Sequence, residues 1–343
     1  MMARKNIAML MIGCMMVAFL LCKYFDRYLR SDATTVAEQV YRVVDSYRVR
    51  YDIDKYAVGM MHDTTEQPVV GHEQAIKNIA YFVERAEPIQ FILVGFPFKS
   101  GNTEKKVLGH LPDMAERKSL EYLQAMLDNI KQVYAPGARI EIFCDGVPFA
   151  NILGISIAHV LEYERALKTI AQDLSGITII GSAEMMQRHG LQSTPDIIAF
   201  FDTFSPTDEQ VRKDLKERSL PAVLLQRISD ELDYAQGGAL HAKIGLEEIV
   251  TQLISREERL RSYIATTFTA PHYIRLSVHF TPDVSKKFGV RLSPASAVTP
   301  YHGVMVQDGN RWEIKAKKDV DKNLYEQTTN EVHGISCGYY TRR

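Results

Sequence analysis

A run at residues 90–96 (QFILVGF), apolar from Phe91 onward and ended by Pro97, constrains the fold of this chain most strongly. A continuous apolar run of this length is typical of a strand that is buried on both faces of a sheet. Residues 138–144 (ARIEIFC) and 176–180 (GITII) predict two further strands, and the segments between the three strands have helical patterns. This alternation predicts an α/β fold with a Rossmann-like, mostly parallel sheet.

The segments before and between these strands carry helix signals. Apolar residues recur at helical spacing over residues 34–50 and predict an amphipathic helix. Asp113, with Glu116 three residues later, predicts a capping box at the start of a helix over residues 114–133. Another helix is predicted over residues 157–173. These helices supply the crossover connections that a parallel sheet requires.

The second half of the chain changes character. Residues 208–268 are mostly helical in pattern, with no clear strands between the helices, and predict a helical insertion. Residues 274–280 (IRLSVHF) alternate between apolar and polar and predict a strand. A hairpin that turns at Asp308-Gly309 follows, so a C-terminal β element is predicted. Residues 339–343 are expected to be an exposed tail.

Residues 1–30 form a separate apolar N-terminal segment. Ile7 to Cys22 contain no charged residue, but these 16 residues are fewer than the about 20 that a membrane span requires. We expect either a weak membrane anchor or a start codon assigned too early, and hence a cytoplasmic protein with a possible tether through this segment. No long linker divides residues 31–343, which are predicted to form a single catalytic α/β domain.

Charge and motif content argue against several function classes. The net charge is −1, so no overall field would gather nucleic acid or anionic lipid. The four cysteines are scattered without paired spacing, which argues against a disulfide framework or a zinc cluster. The sequence contains no dinucleotide-binding fingerprint, no Walker loop and no serine-hydrolase elbow.

The loop after the first strand is the first candidate site. Ligands bind outside the carboxyl ends of strands in open α/β sheets. In this loop Lys99 offers a positive charge, and Ser100 and Asn102 offer hydrogen-bond donors for a phosphate or carboxylate. Lys105 and Lys106 add positive potential. An ordinary surface loop before a capped helix is the alternative interpretation.

The second candidate site follows the strand at residues 138–144. Asp145 and Gly146 stand at the carboxyl end of this strand, and Phe149 comes shortly after. A carboxylate at this place can bind an ammonium group or act as a general base. The alternative is a turn carboxylate that hydrogen-bonds its own backbone.

The third candidate site combines the strand at residues 274–280 with a turn. Arg275, Ser277 and His279 point to one face of that strand because side chains alternate with period two. Tyr301 and His302 precede the predicted hairpin, and a histidine can carry a proton near neutral pH. A solvated sheet face and a structural histidine are the alternatives.

Four sequence blocks in this order resemble the pyoverdine/dityrosine biosynthesis family, whose bacterial members are isonitrile (isocyanide) synthases. The blocks are Pro97–Asn102 running into Val107–Glu116, then Pro136–Ile140 with Asp145, Gly146 and Phe149, then Ile274–His279, then Thr299–Val304. The resemblance implies an enzyme of secondary metabolism that converts the α-amine of tyrosine or tryptophan to an isonitrile. It implies ribulose 5-phosphate as the carbon donor. It also implies a reaction that needs no cofactor or metal.

The resemblance also implies roles for individual residues. Asp145, His279 and His302 are expected to move protons. Substrate binding is expected from Lys99, Ser100, Asn102, Lys106, Arg275, Phe149 and Tyr301. Among these, Lys99, Ser100 and Arg275 are expected to anchor the phosphate, and Phe149 and Tyr301, with Phe98, to line an aromatic subsite. An iron- and 2-oxoglutarate-dependent oxygenase is a possible downstream partner.

Some residues depart from the family pattern. Ala150-Asn151 stands where the family usually has Ser-Asp, and Tyr301 replaces a more common Trp. The spacing between Asn102 and Val107 leaves open whether Lys105 or Lys106 is the family's basic residue. Two alternatives therefore stay open. The alternatives to an isonitrile synthase are another sugar-phosphate or nucleotide transferase on the same sheet, and a degenerate, non-catalytic homologue.

Overall fold

The computed structural model describes residues 32–49, 69–217, 245–279, 281–296 and 298–343. The apolar segment of residues 1–30 and residues 218–244 of the predicted helical insertion therefore lie outside the described residues. The numbering of helices and strands below follows the described elements in chain order.

Helices and strands alternate through the first part of the chain, as the apolar pattern predicts. The elements are α1 (residues 32–46), α2 (His72–Val83), β1 (Ile89–Val94), α3 (Met114–Val133), β2 (Ala138–Phe143), α4 (Gly146–Ala150), α5 (Ile157–Ala171) and β3 (Ile177–Ile180). A helical region follows, with α6 (Ser182–His189), α7 (Thr194–Asp202), α8 (Asp208–Glu217) and α9 (Leu246–Thr267). The last part contains β4 (Ile274–Ser277), β5 (Phe288–Gly289), β6 (Val304–Asp308), β7 (Arg311–Lys315), β8 (Tyr325–Val332) and β9 (Ile335–Arg342), with short 3₁₀ turns at Pro300–His302 and Lys317–Asp319.

The first five strands form one parallel sheet in the order β3-β2-β1-β4-β5. β1 lies at its centre, and its side chains alternate between two cores. Phe91 and Leu93 pack in the core that contains α2 and α3, whereas Ile92 packs in the core that contains α9. Burial on both faces explains why β1 is apolar at every position except Gln90. The predicted α/β fold with a parallel sheet is confirmed.

The capping box predicted at the start of α3 is also confirmed. The Asp113 Oδ1 accepts a hydrogen bond from the Ala115 N–H at 2.8 Å, and the Glu116 Oε2 accepts one from the Asp113 N–H at 2.9 Å. These bonds satisfy backbone donors that the first turn of a helix leaves without partners. They also fix both carboxylates at the end of the loop that follows β1.

A second sheet at the C-terminus has the order β7-β6-β9-β8. The predicted hairpin at Asp308-Gly309 joins β6 and β7. The expectation of an exposed tail at residues 339–343 is wrong, because β9 pairs with both β6 and β8 and buries Tyr340. β8 is polar on both faces, so the alternation that identifies a strand in a sequence is absent from it.

The predicted localisation is also corrected. Among the helices in the described ranges, none is long and apolar enough to cross a membrane. The segment chosen as a tether, residues 1–30, lies outside those ranges. We therefore withdraw the prediction of a cytoplasmic protein with a tether through that segment.

Candidate active site

A cavity of about 610 Å³ lies at the carboxyl ends of the central strands. Val94 at the end of β1, Asp145 after β2 and Ser277 at the end of β4 line it, and α9 contributes Leu260 and Ile264 from the other side. Ligands bind outside the carboxyl ends of strands in sheets of this type. This large cavity is therefore the candidate active site.

A smaller cavity of about 120 Å³ adjoins it, and the two share Asp145, Phe149 and His302 in their walls. Phe98 and Leu153 contribute further apolar surface. Aromatic side chains bind well between such walls because they bury large apolar faces. We call this smaller cavity the apolar branch, and its walls are suited to an aromatic ring.

The structure brings most of the predicted site residues to these walls. The large cavity is lined by Lys106, Asp145, Phe149, Arg275, His279, Tyr301 and His302. Ser100 lines the apolar branch. Lys99 and Asn102 line neither of the two cavities. The three candidate segments of the sequence thus meet at one place, and the functional roles of their residues stay predictions.

Asp145 combines burial with an unsatisfied carboxylate oxygen. Its Oδ1 is buried and has no hydrogen-bond partner among the described residues. Burial, with smaller contributions from Glu257 and Glu164, raises the pKa of the Asp145 carboxyl to about 7. A carboxyl group with a pKa near neutrality exists in both protonation states at working pH, as a general acid or base requires.

Close approach of two loops explains why a glycine follows Asp145. A Cβ atom on Gly146 would lie 2.1 Å from the Pro97 carbonyl oxygen and 2.7 Å from Val160 Cγ1. Only glycine lets the loop after β2 approach the loop after β1 this closely. In the β1 loop, Phe96 adopts a left-handed backbone conformation with φ 56°. Such a conformation is unfavourable for a bulky residue, and this kind of strain clusters at functional sites.

Two histidines reach the large cavity from different elements. His279 follows β4, and its backbone N–H donates to the Ser277 Oγ at 3.2 Å. His302 ends the 3₁₀ turn, and its ring contacts that of Tyr301, with centroids 5.0 Å apart. His302 and Asp145 both border the junction of the large cavity with the apolar branch. A proton carrier is thus available on each side of that junction.

Lys99, a predicted substrate-binding residue, lies outside the walls of both cavities. Its side chain is buried, and the Nζ lies 3.0 Å from Asp113 Oδ2 and 2.9 Å from Glu116 Oε2. The same Nζ donates to the carbonyl oxygens of Pro300 at 2.9 Å and Gly303 at 3.3 Å. An ammonium group has three protons to donate, so these acceptors occupy all of its hydrogen-bond donors. Lys99 is therefore not placed to anchor a phosphate in the cavity.

Lys99 instead connects the loop after β1 to the turn that carries Tyr301 and His302. The Ser100 N–H donates to the Tyr301 carbonyl oxygen at 2.9 Å, which adds a second link between the same segments. We call Lys99, Asp113 and Glu116 the Lys99 cluster. Because it holds two cavity residues in place without lining the cavity, its role is structural.

Asn102 also has a structural place, since its side chain shapes the loop. Its Oδ1 accepts a hydrogen bond from the Lys105 N–H at 2.8 Å, and its carbonyl oxygen accepts from the Lys106 N–H at 3.0 Å. An asparagine that caps its own turn in this way is common in loops. The predicted contact of Asn102 with substrate is thus not provided by this arrangement.

Sequence reasoning missed two cations of the large cavity, Lys287 and Arg261. Lys287 stands next to another lysine in a polar run, and Arg261 lies in a helix rich in charges, so neither is distinctive in the sequence. Lys287 and Arg275 are half-buried, and burial lowers the pKa of both groups. Across the described ranges, no group of three or more His, Cys, Asp or Glu side chains is arranged to hold a metal ion.

Comparison with known proteins identifies relatives over most of the chain. A sequence model of the pyoverdine/dityrosine biosynthesis protein family matches residues 79–227 and 225–328. The L-tyrosine isonitrile synthase of Pseudomonas aeruginosa is 32% identical over 259 residues, which are 71% of this chain and 77% of that protein. The L-tyrosine isonitrile synthase of Xenorhabdus nematophila is 28% identical over 321 residues, which are 90% of this chain and 92% of that protein.

A tryptophan enzyme and a solved structure extend this comparison. The L-tryptophan isonitrile synthase AmbI2 of Fischerella ambigua is 27% identical over 72% of this chain and 76% of its own length. The crystal structure of the PvcA protein from Pseudomonas aeruginosa superposes with a TM-score of 0.72 at 26% identity. It covers 90% of this chain and 100% of the PvcA chain. The similarity therefore extends over most of the chain.

Proposed function

The chain belongs to the pyoverdine/dityrosine biosynthesis protein family and is an isonitrile synthase, and we propose that it joins the α-amine nitrogen of an aromatic amino acid to C2 of ribulose 5-phosphate. The amino acid is tyrosine or tryptophan, the substrates of the relatives. The observation that supports this proposal most is the position of the Asp145 carboxyl. It borders both the apolar branch and the large, cation-lined cavity.

In this proposal the apolar branch binds the side chain of the amino acid. Phe98 and Phe149 provide aromatic walls, and Tyr301 lines the neighbouring part of the large cavity. Ring contacts of this kind prefer edge-to-face or offset geometry and add to the gain from apolar burial. The α-amine then lies at the junction of the two cavities, beside Asp145 and His302.

Proton transfer in this proposal falls to the groups at that junction. Addition of the amine to the C2 ketone requires a neutral amine, and the following loss of water requires a proton for the departing hydroxyl group. Asp145 accepts the proton from the amine, because its pKa of about 7 leaves a large fraction ionised at neutral pH. His302 and His279 move protons during imine formation and the later cleavage of carbon–carbon bonds.

The sugar phosphate occupies the large cavity, where Arg275 and Lys106 provide positive charge. Ser100, in the wall of the apolar branch, provides a hydroxyl donor for a substrate oxygen. Lys99 has no part in this binding because the Lys99 cluster holds its ammonium group. The product is expected to pass to an iron- and 2-oxoglutarate-dependent oxygenase, as the family resemblance suggests.

The direct test is turnover with defined substrates. The full chain is incubated with tyrosine or tryptophan and with ribulose 5-phosphate that carries ¹³C at C2. We expect an isonitrile stretching band in the infrared spectrum that moves to lower frequency with the labelled sugar. An unshifted band would identify another carbon donor. No isonitrile with any aromatic amino acid would favour a transferase of another kind or a degenerate homologue.

A further inference from the structure

Two cations of the large cavity, Arg275 and Lys287, lie side by side on neighbouring strands of the sheet. In the parallel pair β4 and β5, Leu276 lies opposite Phe288. Arg275 and Lys287 each precede one of these residues, so they occupy adjacent positions in the same register. Neighbouring strands lie about 4.8 Å apart, and laterally adjacent residues of a sheet project to the same face. Both residues line the large cavity. We call them the cation pair.

The cation pair has no carboxylate in direct contact within the described residues, although Glu257 lines the same cavity. Within the described part of the chain, no Asp or Glu oxygen lies within 4 Å of the Arg275 guanidinium or the Lys287 ammonium. Both side chains are half-buried. Two like charges held together with restricted access to water repel each other, and a bound anion removes this repulsion.

A third cation stands across the cavity on α9. The Arg261 guanidinium is 50% exposed and pairs with Glu257 at 2.8 Å and Glu258 at 2.7 Å. Burial lowers the pKa of the Lys287 ammonium, and Arg261 and Arg275 lower it further, whereas Glu257 opposes this change. Burial and Arg261 likewise lower the pKa of the Arg275 guanidinium. The cavity wall near β4 and β5 is therefore positive even after Glu257 is included.

We propose that Arg275 and Lys287 together bind the phosphate group of the pentose substrate. This inference rests on the proposed function and adds Lys287, a residue that no sequence block indicates. A phosphate monoester carries a charge of about −1.5 to −2 at pH 7. Two adjacent cations therefore balance a phosphate better than they balance a carboxylate, which has a single negative charge. The arginine fork holds two phosphate oxygens, and the lysine acts as a point charge on the third.

The strand order places this phosphate site on the opposite side of the cavity from Asp145. β1 and β4 separate β5 from β2, the strand that Asp145 follows. Two to three strand spacings correspond to about 10–14 Å. A pentose phosphate that lies along this line with its phosphate on the cation pair directs its ketone end toward Asp145. The amino acid in the apolar branch then approaches the ketone from the other direction.

Binding of inorganic phosphate to the full chain tests the site without turnover. Titration calorimetry is expected to show that Lys287→Gln and Arg275→Gln each weaken phosphate binding at least about tenfold, as loss of a charge-assisted contact predicts. Lys286→Gln is the matched control, because Lys286 is the neighbouring lysine, is 78% exposed and pairs with Asp283 outside the cavity. Thermal unfolding verifies that all three variants are folded.

Kinetics separate this inference from the proposed function. With Lys287→Gln we expect the KM for ribulose 5-phosphate to rise at least about tenfold while the KM for the amino acid is unchanged. Phosphate binding that is equal in wild type and Lys287→Gln, or a rise in the KM for the amino acid alone, would overturn the inference. If the wild type makes no isonitrile but Lys287→Gln still loses phosphate affinity, the phosphate site stands and the proposed reaction falls.

Discussion

Lys99 and the cation pair are held away from bulk water in neighbouring parts of the molecule, but their surroundings differ. The Lys99 ammonium contacts two carboxylates and two carbonyl oxygens, all within the protein. Arg275 and Lys287 face a cavity and have no carboxylate within 4 Å in the described ranges. The fold depends on a buried charge whose partners are all internal, because its removal leaves those partners unpaired. A charge that faces a cavity without a carboxylate partner is available to a ligand.

The largest expected effect comes from removing the charge of Lys99. Lys99→Met leaves Asp113 and Glu116 buried without their cation, and loss of one partner of a buried pair costs about 3–5 kcal/mol. We expect the free energy of unfolding, measured with urea at pH 7, to fall by this amount. Adding Asp113→Asn to Lys99→Met should recover part of the loss, because it removes one unpaired carboxylate while asparagine can still cap the helix.

The matched control for Lys99 is Lys287→Met, which removes a cation from the cavity. It should change the free energy of unfolding by no more than about 1 kcal/mol, because no carboxylate of the described ranges lies within 4 Å to lose its partner. The comparison would be broken if Lys99→Met kept its stability but raised the KM for ribulose 5-phosphate. Lys99 would then bind the substrate.

The next effect concerns the unpaired carboxyl of the cavity. Asp145→Asn removes the proposed general base and should lower kcat by at least about 100-fold, which corresponds to about 3 kcal/mol. The wild-type rate should rise as the pH increases through about 7, where this carboxyl loses its proton. The variant should lack that rise. A variant that kept the pH profile of the wild type would assign the titration to another group.

Asp145→Asn, which should lower activity, should raise the stability of the fold. The pKa of Asp145 in the fold, about 7, lies above its ordinary value of 3.8, so the folded state binds an extra proton between these values. Wild-type stability is therefore lost as the pH rises from about 4 to 7. Asp145→Asn avoids the buried charge, and urea unfolding at pH 8 should show it more stable by about 2 kcal/mol.

Much of the fold was predictable because its signals are local. The apolar runs of β1, β2 and β3, the Asp113–Glu116 capping box and the Asp308-Gly309 turn each lie within a few residues, and each matched the structure. β8 and β9 were not predicted, because β8 pairs through its backbone and carries polar side chains on both faces. Pairing of this kind leaves no period in the sequence.

The site was less predictable because charge balance is a tertiary property. The Lys-Ser-Gly sequence at residues 99–101 has the composition of an anion-binding loop. What assigns Lys99 to the fold is the arrival of Asp113 and Glu116 from α3 and of two carbonyl oxygens from the turn near residue 301. Lys287 became a site residue only through its pairing with β4.

A smaller effect is expected from the surplus charge of the Lys99 cluster. One ammonium faces two carboxylates, so one negative charge is left over in a buried place. Burial raises the pKa of Glu116 to about 8, although Lys99 opposes this shift. The fold should therefore lose stability as the pH rises from about 5 to 8, because the folded state must release a proton that it binds more tightly than the unfolded chain does.

Glu116→Gln tests this pH dependence. The glutamine keeps an acceptor for the Asp113 N–H and leaves Lys99 paired with Asp113. Urea unfolding between pH 5 and 8 should be flatter than that of the wild type, with a gain of about 1–2 kcal/mol at pH 8. Thr328→Val, on β8 and outside the Lys99 cluster, serves as a control for general pH effects. A variant with the slope of the wild type would show that Glu116 is ionised throughout this range.

The smallest expected effect comes from giving a partner to a cation outside the cavity. Arg256 on α9 is half-buried, and burial lowers the pKa of its guanidinium. Its Nη1 donates to the Asn151 Oδ1 at 3.0 Å and to the Pro148 carbonyl oxygen. Neither Asn151 nor Arg256 lines the large cavity or the apolar branch.

Asn151→Asp creates an ion pair at this position, which should raise the free energy of unfolding by about 0.5–1 kcal/mol. Turnover should not change, and Asn151→Ala should lower stability without changing the KM for either substrate. A large gain in turnover with Asn151→Asp would contradict the rule that a paired cation outside the cavity serves only the fold. It would place Asn151, which stands where the family usually has Asp, among the residues that limit this chain's activity.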